Sequence, residues 1–230
     1  DRTRALPSSA TVSRRRRKPS IAALLDDLIA ALRRTGPGVR ALIIDGRPLT
    51  IARHSADPDA AFGRAAGGLG KGYKLHAIVD LLGNCRGFRV EPLNVSEQAV
   101  AAKLIAQLDH GHADTLLVDA NYDSNTLYEL AGARGVQMIA ARRYRKAKSV
   151  GHRRHSEHRL RALAIMANDP TATNGRRFIE SCFGTQGNVI GGLGPLPNHV
   201  RRLRRVRLWV AAKLAIDAAH RQRRAAQKAA

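Results

Sequence analysis

The 230-residue chain carries 40 Lys and Arg residues against 18 Asp and Glu, so its formal net charge is +22 with histidine neutral. Such an excess argues against ordinary small-metabolite chemistry and indicates a polyanionic partner, nucleic acid first. Hydrophobic residues make up 44% of the chain, which is enough for one cored domain. The two cysteines lack CxxC spacing, which argues against a disulfide framework and a structural zinc site and fits a reducing compartment.

No apolar stretch approaches the roughly 20 residues that a membrane span needs, and the chain does not open with a secretory signal. We therefore expect a cytoplasmic protein with no membrane among its partners. The chain begins without methionine, from which we expect a fragment of a longer product.

The first 38 residues are predicted to form a basic arm and an amphipathic helix. The run from Arg14 to Lys18 repels itself and indicates a solvated arm, with phosphate binding as the alternative. Apolar residues then recur at helical spacing from Ile21 to Leu32, with Ser20 as a plausible N-cap and glycines from Gly36 onward ending the helix.

Residues 39–230 alternate between strand and helix patterns and are predicted to form one domain that ends in a basic helix. Strands are predicted over residues 41–44, 49–52, 73–80, 87–93, 115–118 and 136–140, the first two paired across a turn at Arg47 and Pro48. Residues 55–72, rich in Gly, Ala and Asp, are expected to be loop. Helices are predicted near residues 96–108, 124–133, 174–184 and 199–227.

Two short, very apolar strands each end in an aspartate, Asp45 and Asp119. A carboxylate at the end of a buried strand is costly unless it is paired or binds metal. The carboxyl ends of strands are also where α/β sheets place their chemistry. The alternative for Asp45 is a turn residue before Gly46.

Three segments carry a resemblance to a known family: LIIDGRP at residues 42–48, LVDANYDS at 117–124 and RRFIESCF at 176–183. Over residues 40–215 the chain resembles the catalytic domain of a bacterial insertion-sequence transposase of the DDE type. The segment GYKLH at residues 72–76 is similar to the family's strand after the first acid.

The resemblance implies an α/β fold with an RNase H-like mixed sheet flanked by helices, which the order of predicted elements also favours. It implies metal-dependent DNA cleavage and strand transfer at insertion-sequence ends, with Asp45, Asp119 and Glu180 as the catalytic, metal-binding triad. The expected ion is Mg²⁺, with Mn²⁺ able to substitute, because hard cations prefer carboxylate oxygens. The expected partners are transposon-end and target DNA in the bacterial nucleoid. A homodimer is one alternative for the active complex, and a monomer is the other.

A common form of the family's third motif is Y-x2-R-x3-E-x6-K. Counted from Glu180, Arg176 matches the arginine, whereas Thr173 and Gly187 stand at the tyrosine and lysine positions, and Asn121 stands where the family often has glycine. An ion pair with Glu180 is the alternative role of Arg176. The residues predicted to bind DNA are Arg176, Arg201, Arg204 and Arg205. The alternative for the last three is that they form a solvated helix face without a DNA contact.

Other polar residues are assigned structural roles. Asp123 is expected to cap its helix rather than bind metal. His152, His155 and His158 are spread around a helix by their spacing and are expected to belong to a solvated basic segment. Asp57 and Asp59 are expected to be loop residues.

The triad assignment makes a geometric prediction. The strands of Asp45 and Asp119 should be direct parallel neighbours, and the helix of Glu180 should turn its apolar side inward. The three carboxylates should then lie within roughly 4–8 Å of one another. Two other functions stay open: a catalytically silent DNA-binding remnant, and an RNase H-like nuclease without strand transfer.

Overall fold

The computed structural model describes residues 8–16, 18–34, 39–141, 155–188, 192–193 and 195–229. These ranges contain helices, strands and two 3₁₀ turns, at Ala120–Tyr122 and Asn174–Arg177. The order is α1 (Ser9–Arg16), α2 (Pro19–Arg34), β1 (Val39–Ile51), β2 (Ala61–Ala65), β3 (Gly68–Asp80), β4 (Cys85–Pro92), α3 (Glu97–Ile105), β5 (Ala113–Val118), α4 (Asn125–Ala133), β6 (Gln137–Ala140), α5 (Glu157–Asn168), α6 (Phe178–Asn188) and α7 (Leu203–Ala229).

The strands of the described ranges form one mixed sheet with β1 at its centre. On one side β1 pairs antiparallel with β3, whose other edge pairs with β2 and β4. On the other side β1 pairs parallel with β5, and β5 pairs parallel with β6. This succession of antiparallel strands, a helix and two parallel strands is the RNase H-like α/β fold, as predicted.

The two faces of the sheet bury two separate cores because successive side chains of a strand point to opposite faces. Ile43 of β1 lies in the core that β1 and β3 form with α6 and α7. Ile44, the next residue, lies in the core formed with α3 and α4. Both side chains are fully buried, so β1 is the element that both layers of helices cover.

The strand β1 runs on through Asp45 to Ile51, so the predicted turn at Arg47 and Pro48 is wrong. The pairing with β3 continues without a break from Leu42 to Ile51, whereas β5 ends at Val118. The second half of β1 is therefore paired on one side only. Proline has no backbone N–H to donate, and it is tolerated in such an edge segment because the open side needs no hydrogen-bond donor.

The predicted loop over residues 55–72 is also only partly correct. Its second half contains β2 and the start of β3, which form a hairpin. Glycine-rich composition suggested loop, but Gly72 is required within the strand. Its φ is +153°, and a Cβ there would clash with the carbonyl of Leu49.

The N-terminal region is helical where the sequence predicted a solvated arm. Helix α1 includes Arg14 and Arg15, both exposed. Helix α2 begins at Pro19, one residue before the predicted N-cap Ser20, and proline suits the first helical position. Helix α2 packs against α7 and β4. The predicted end at Gly36 lies outside the described residues, and the division at residue 38 stays a prediction.

The remaining predicted helices and strands are present with shifts of a few residues at their ends. The basic stretch predicted from residue 142 lies mostly outside the described ranges. In those ranges, none of the helices combines the length and apolarity that crossing a membrane requires.

Candidate active site

Asp45 and Asp119 lie side by side at the centre of the sheet. The last residues paired between β1 and β5 are Ile43 and Leu117. Asp45 follows Ile43 by two residues within β1, and Asp119 follows Leu117 by two residues, directly after the end of β5. Neighbouring strands are about 4.8 Å apart, so the same register brings the two aspartates to one level. The predicted parallel pairing of their strands is therefore confirmed.

Asp45 occupies a partly desolvated position, with 23% of its side chain exposed. Burial raises the pKa of Asp45 to about 6, although the Gly46 N–H, which donates to Oδ1 at 2.8 Å, opposes the shift. The Arg176 guanidinium, 3.8 Å from Oδ2, also lowers this pKa, while the charges of Asp119 and Glu97 raise it. A buried carboxylate among other carboxylates is a natural ligand for a cation.

Asp119 directly follows β5 and caps the 3₁₀ turn Ala120–Tyr122. Its Oδ1 accepts a hydrogen bond from the N–H of Ala120 at 2.5 Å, and its carbonyl accepts one from the N–H of Tyr122 at 3.0 Å. The turn buries Tyr122 completely, and its hydroxyl has no hydrogen-bond partner among the described residues. Burial raises the pKa of Tyr122, and the charges of Glu97, Asp45 and Asp119 raise it further.

Glu180 lies on α6, whose apolar side packs into the core as predicted. Ile179, Cys182 and Phe183 are buried, and Phe178 packs against the same core. The Glu180 side chain is 62% exposed, and its Oε1 lies 3.5 Å from Nη2 of Arg176. Arg176 therefore contacts Glu180 with one nitrogen and Asp45 with the other.

The three carboxylates are not preformed as a ligand set. Over the ranges that the structure describes, no three His, Cys, Asp or Glu side chains lie close enough together to hold a metal ion. The Arg176 guanidinium stands between Asp45 and Glu180 and neutralises both. The donor chemistry nevertheless fits Mg²⁺, because that ion usually takes one or two protein carboxylates and completes its shell with water and phosphate oxygens.

The sequence matches the family described as "Transposase DDE domain" over residues 36–179. The chain belongs to this transposase DDE domain family. The match includes Asp45 and Asp119 and ends one residue before Glu180, and the catalytic and metal-binding roles of all three residues stay predictions.

No curated protein matches this DDE domain. Among solved structures, it is similar to a chain of the simian T-cell lymphotropic virus intasome in complex with PP2A regulatory subunit B56 gamma, at 13% sequence identity and a TM-score of 0.29. The similarity covers 83% of this chain and 64% of the intasome chain, so this chain spans less than two thirds of the intasome chain's length. A likeness at this level establishes neither an activity nor a partner.

Arg47 fills the space beside Gly187, the position at which the resembled motif has lysine. A Cβ at Gly187 would lie 2.6 Å from Nη2 of Arg47. The guanidinium also donates to the carbonyl of Phe183, so it ties β1 to α6. The DDE domain thus has a cation at this place, supplied by the strand that carries Asp45. The sequence reading missed Arg47 because it assigned this residue to a turn.

Lys74 and Glu97 form an ion pair near Asp45 that the sequence analysis also missed. Lys74 lies on β3 between the buried residues Tyr73 and Leu75 and is itself buried, and a buried lysine needs a partner. A lysine in a strand predicted to be buried was therefore a sign in the sequence that an acidic partner lies nearby. Glu97 gave none, because an acidic residue directly after the N-cap Ser96 is ordinary helix-start chemistry.

The arginines predicted to bind DNA near the start of α7 differ from one another in exposure and in hydrogen bonding. Arg204 and Arg205 are exposed on the first turn of α7, where Arg205 borders a surface pocket of about 550 Å³. The Arg201 guanidinium instead donates to the carbonyls of Pro197 and Val200, at 2.8 and 2.9 Å. These bonds hold the segment that leads into α7. DNA contact by Arg204, Arg205 and Arg176 stays a prediction, whereas for Arg201 we now expect the internal hydrogen bonds to keep the guanidinium from the DNA backbone.

The expectation that Asp123 caps its helix is wrong. The N-cap of α4 is Ser124, and Asp123 pairs with Arg159 of α5 at 3.0 Å. His152 lies outside the described residues. His155 and His158 are half-buried rather than solvated, since His155 approaches Arg159 and His158 packs over Gly132 of α4.

Asp57 and Asp59 lie in a loop as predicted, and they also fix the start of α7. Asp57 accepts from the N–H of Arg202, and Asp59 accepts from the N–H of Leu203, both at 3.0 Å. The hydroxyl of Tyr73 donates to Asp57 at 2.7 Å. These bonds satisfy helix-terminal N–H groups that have no partner within the helix.

Proposed function

We propose that this chain is the catalytic domain of an insertion-sequence transposase that cleaves DNA at the element's ends and transfers the strand to target DNA. The observation that carries the proposal is the adjacency of Asp45 and Asp119 on paired parallel strands, inside the family match. Two carboxylates that the fold brings to one level supply the hard oxygen donors that phosphodiester chemistry requires.

Asp45, Asp119 and Glu180 would hold the divalent cation, with Mg²⁺ as the expected ion and Mn²⁺ as its substitute. Such an ion, when bound, activates a water or 3′-hydroxyl and neutralises the charge that develops on the leaving oxygen. The chain's own contribution is to orient the carboxylates. Asp45, with a pKa of about 6, is mostly ionised at neutral pH and is fixed by the Gly46 N–H.

Arg176 has two roles in this proposal. Without metal it neutralises Asp45 and Glu180. If those carboxylates held a divalent cation, the Arg176 guanidinium would be available to a DNA phosphate beside the reacting bond, since arginine suits bidentate phosphate contacts. Arg47 provides a second positive charge nearby, and Arg204 and Arg205 extend the basic surface for the DNA backbone.

The proposed partners are transposon-end and target DNA in the bacterial nucleoid. The net charge of +22 supports strong electrostatic attraction to a phosphate backbone. A homodimer would allow each copy to act on one element end.

Nicking of a supercoiled plasmid in Mg²⁺, followed by strand transfer with a pre-cut end, tests the function. We expect the wild type to show both nicking and strand transfer, and we expect Asp119→Asn to lose both activities. Nicking without transfer would indicate an RNase H-like nuclease. DNA binding with neither activity would indicate a catalytically silent remnant, consistent with the altered third motif at Thr173 and Gly187.

A further inference from the structure

One face of the hairpin that β2 forms with the start of β3 carries both apolar and basic side chains. Phe62 is paired with Lys71 across the two strands, and Arg64 is paired with Leu69. Directly opposed residues, and residues two apart on one strand, share a face of the sheet. These four side chains therefore form one surface, the hairpin patch. Lys71 is half-buried, and the other three are exposed.

The opposite face of the hairpin is made of small residues that pack closely against the domain. A Cβ at Gly63 would clash with the carbonyl of Leu93. A Cβ at Gly70 would lie 3.1 Å from Cγ2 of Thr50 on β1. Close packing on this side holds the hairpin in place, so the hairpin patch is presented on a fixed strand pair.

The hairpin patch lies on the same face of the sheet as Asp45. Ile43 and Tyr73 are both buried in the core that the sheet forms with α6 and α7. Asp45 follows Ile43 by two residues and Lys71 precedes Tyr73 by two, so both point to that face. Lys71 pairs with Ile51, six residues beyond Asp45 on β1. At about 3.3 Å per residue, the patch lies roughly 20 Å from Asp45 along the strand.

The hairpin patch is basic and adjoins a second basic surface. The hairpin contains no acidic residue, and its two cations both belong to the patch. The Lys71 ammonium donates to the carbonyl of Ser55 at 2.7 Å, and Ser55 lines the surface pocket that Arg205 also borders. Asp57, the acidic residue of that pocket, is already hydrogen-bonded to the start of α7. The patch and the exposed first turn of α7 are therefore neighbouring cationic surfaces.

Two large apolar side chains distinguish the hairpin patch from an ordinary solvated basic face. Phe62 is 46% exposed and Leu69 is 63% exposed. The Lys71 ammonium lies 5.6 Å from the centre of the Phe62 ring, so cation and ring are presented together. Exposed apolar side chains that cluster in this way mark binding surfaces. Apolar residues beside cations suit DNA, whose phosphates alternate with sugars along each strand.

We propose that the hairpin patch binds duplex DNA that extends beyond the candidate active site. Arg64 and Lys71 contact backbone phosphates, and Phe62 and Leu69 lie against the sugars between them. Positive charge complements DNA but disfavours a second copy of this chain, which carries +22 as well. The inference rests on the proposed function for the identity of its partner, and it adds a contact surface away from the reacting bond.

Fluorescence anisotropy with a labelled duplex in chelator tests the hairpin patch without any cleavage. Arg64→Gln is expected to reduce the log–log salt slope of binding by about 0.9, the contribution of one phosphate contact. Its matched control is Lys103→Gln, at an exposed cation of α3 on the opposite face of the sheet.

Phe62→Ala is expected to weaken DNA binding about fivefold at every salt concentration, because an apolar contact buries surface but releases no counterion. Its matched control is Leu160→Ala, which is 48% exposed on α5, beside β6 at the far edge of the sheet from β2. Phe62→Leu keeps an apolar side chain and should bind more tightly than Phe62→Ala.

Hairpin variants that bind DNA like their controls, while circular dichroism shows all of them folded, would overturn the proposal. Sedimentation without DNA tests the other occupant, a second copy of the chain. Weaker self-association of Phe62→Ala, combined with DNA affinity equal to that of Leu160→Ala, would assign the hairpin patch to a contact between copies and would also overturn it.

Plasmid nicking by the same proteins separates this inference from the proposed function. Nicking by the wild type, with unchanged DNA binding in the hairpin variants, would reject the patch and leave the proposed function standing. Weakened binding in Arg64→Gln and Phe62→Ala of a chain that does not nick would support the patch and reject cleavage. A folded wild type without affinity for DNA would overturn both.

Discussion

Nη1 of Arg176 lies 3.8 Å from Oδ2 of Asp45, and the same guanidinium reaches Glu180. A side-chain cation therefore occupies the place between two carboxylates that are proposed to bind a metal cation. Arginine and metal compete for the same negative charge, and that competition can be measured.

Replacing Arg176 with glutamine is expected to strengthen Mn²⁺ binding at pH 8 by about three- to tenfold, because the competing charge is lost. DNA cleavage is expected to fall in the same variant, since the proposed phosphate contact is lost. Arg177→Gln, at the exposed neighbouring residue, is the matched control. Equal Mn²⁺ affinity in the wild type and Arg176→Gln would show that the arginine does not compete with the ion.

The pKa of Asp45 predicts a pH dependence of stability. Burial raises the pKa from its ordinary value of 3.8 to about 6, so the protonated carboxyl is favoured in the folded state. The stability that this proton contributes is fully present below about pH 4 and is lost as the pH rises through 6.

Asp45→Asn removes this loss, because the amide does not ionise. Without metal, we expect the variant to exceed the wild type in free energy of unfolding at pH 8 by at most about 3 kcal/mol. The difference should shrink toward pH 4. Urea unfolding at pH 4, 6 and 8 measures it, with Asp114→Asn, at an exposed residue of β5, as the control. A difference that stays constant across this range would contradict the role of burial.

The arginines near the start of α7 should differ in a salt titration. Arg204→Ala and Arg205→Ala are each expected to reduce the log–log salt slope of DNA binding by about 0.9, the contribution of one phosphate contact. Arg201→Ala should leave the slope nearly unchanged and lower the free energy of unfolding by about 1 kcal/mol, because its hydrogen bonds are internal. Fluorescence anisotropy and urea unfolding measure the two effects. A uniform slope change across all three variants would contradict this division.

Two glycines of α6 provide a matched test of the packing of Arg47. A Cβ at Gly187 would meet the Arg47 guanidinium, whereas a Cβ at Gly184 would meet nothing within 4 Å. We expect Gly184→Ala to raise the free energy of unfolding by about 0.5–1 kcal/mol through helix propensity. Gly187→Ala should lower it by about 1 kcal/mol because the guanidinium must move. Equal effects would show that Arg47 does not occupy that space.

Sequence patterns predicted the order of elements and the pairing of the two aspartate-bearing strands. They failed at β1, because Asp45, Gly46 and Pro48 together have the composition of a turn. The strand continues because its second half is paired on one side with β3, and the short length of β5 leaves the other side open. That tertiary circumstance has no signature within residues 41–52.

From local residue patterns alone, Asp45 and Asp119 were the only residues of the candidate site that could be predicted. Asp45 and Asp119 each follow an apolar run, which is a local signal. Glu97 pairs with Lys74, and Arg47 contacts α6, and both contacts join residues far apart in sequence. Spacing within a segment cannot reveal such contacts, and this is why they were missed.

The most direct test of the central claim is Mg²⁺-dependent nicking of supercoiled plasmid by the wild type and Asp119→Asn, alongside their DNA affinity. The amide keeps the shape of the side chain and its acceptor for the Ala120 N–H but loses the charge that would hold a cation. We expect the wild type to nick DNA only with the divalent ion, and we expect Asp119→Asn to bind DNA almost equally well without nicking it. Wild-type nicking by Asp119→Asn, or nicking by the wild type in chelator, would contradict it.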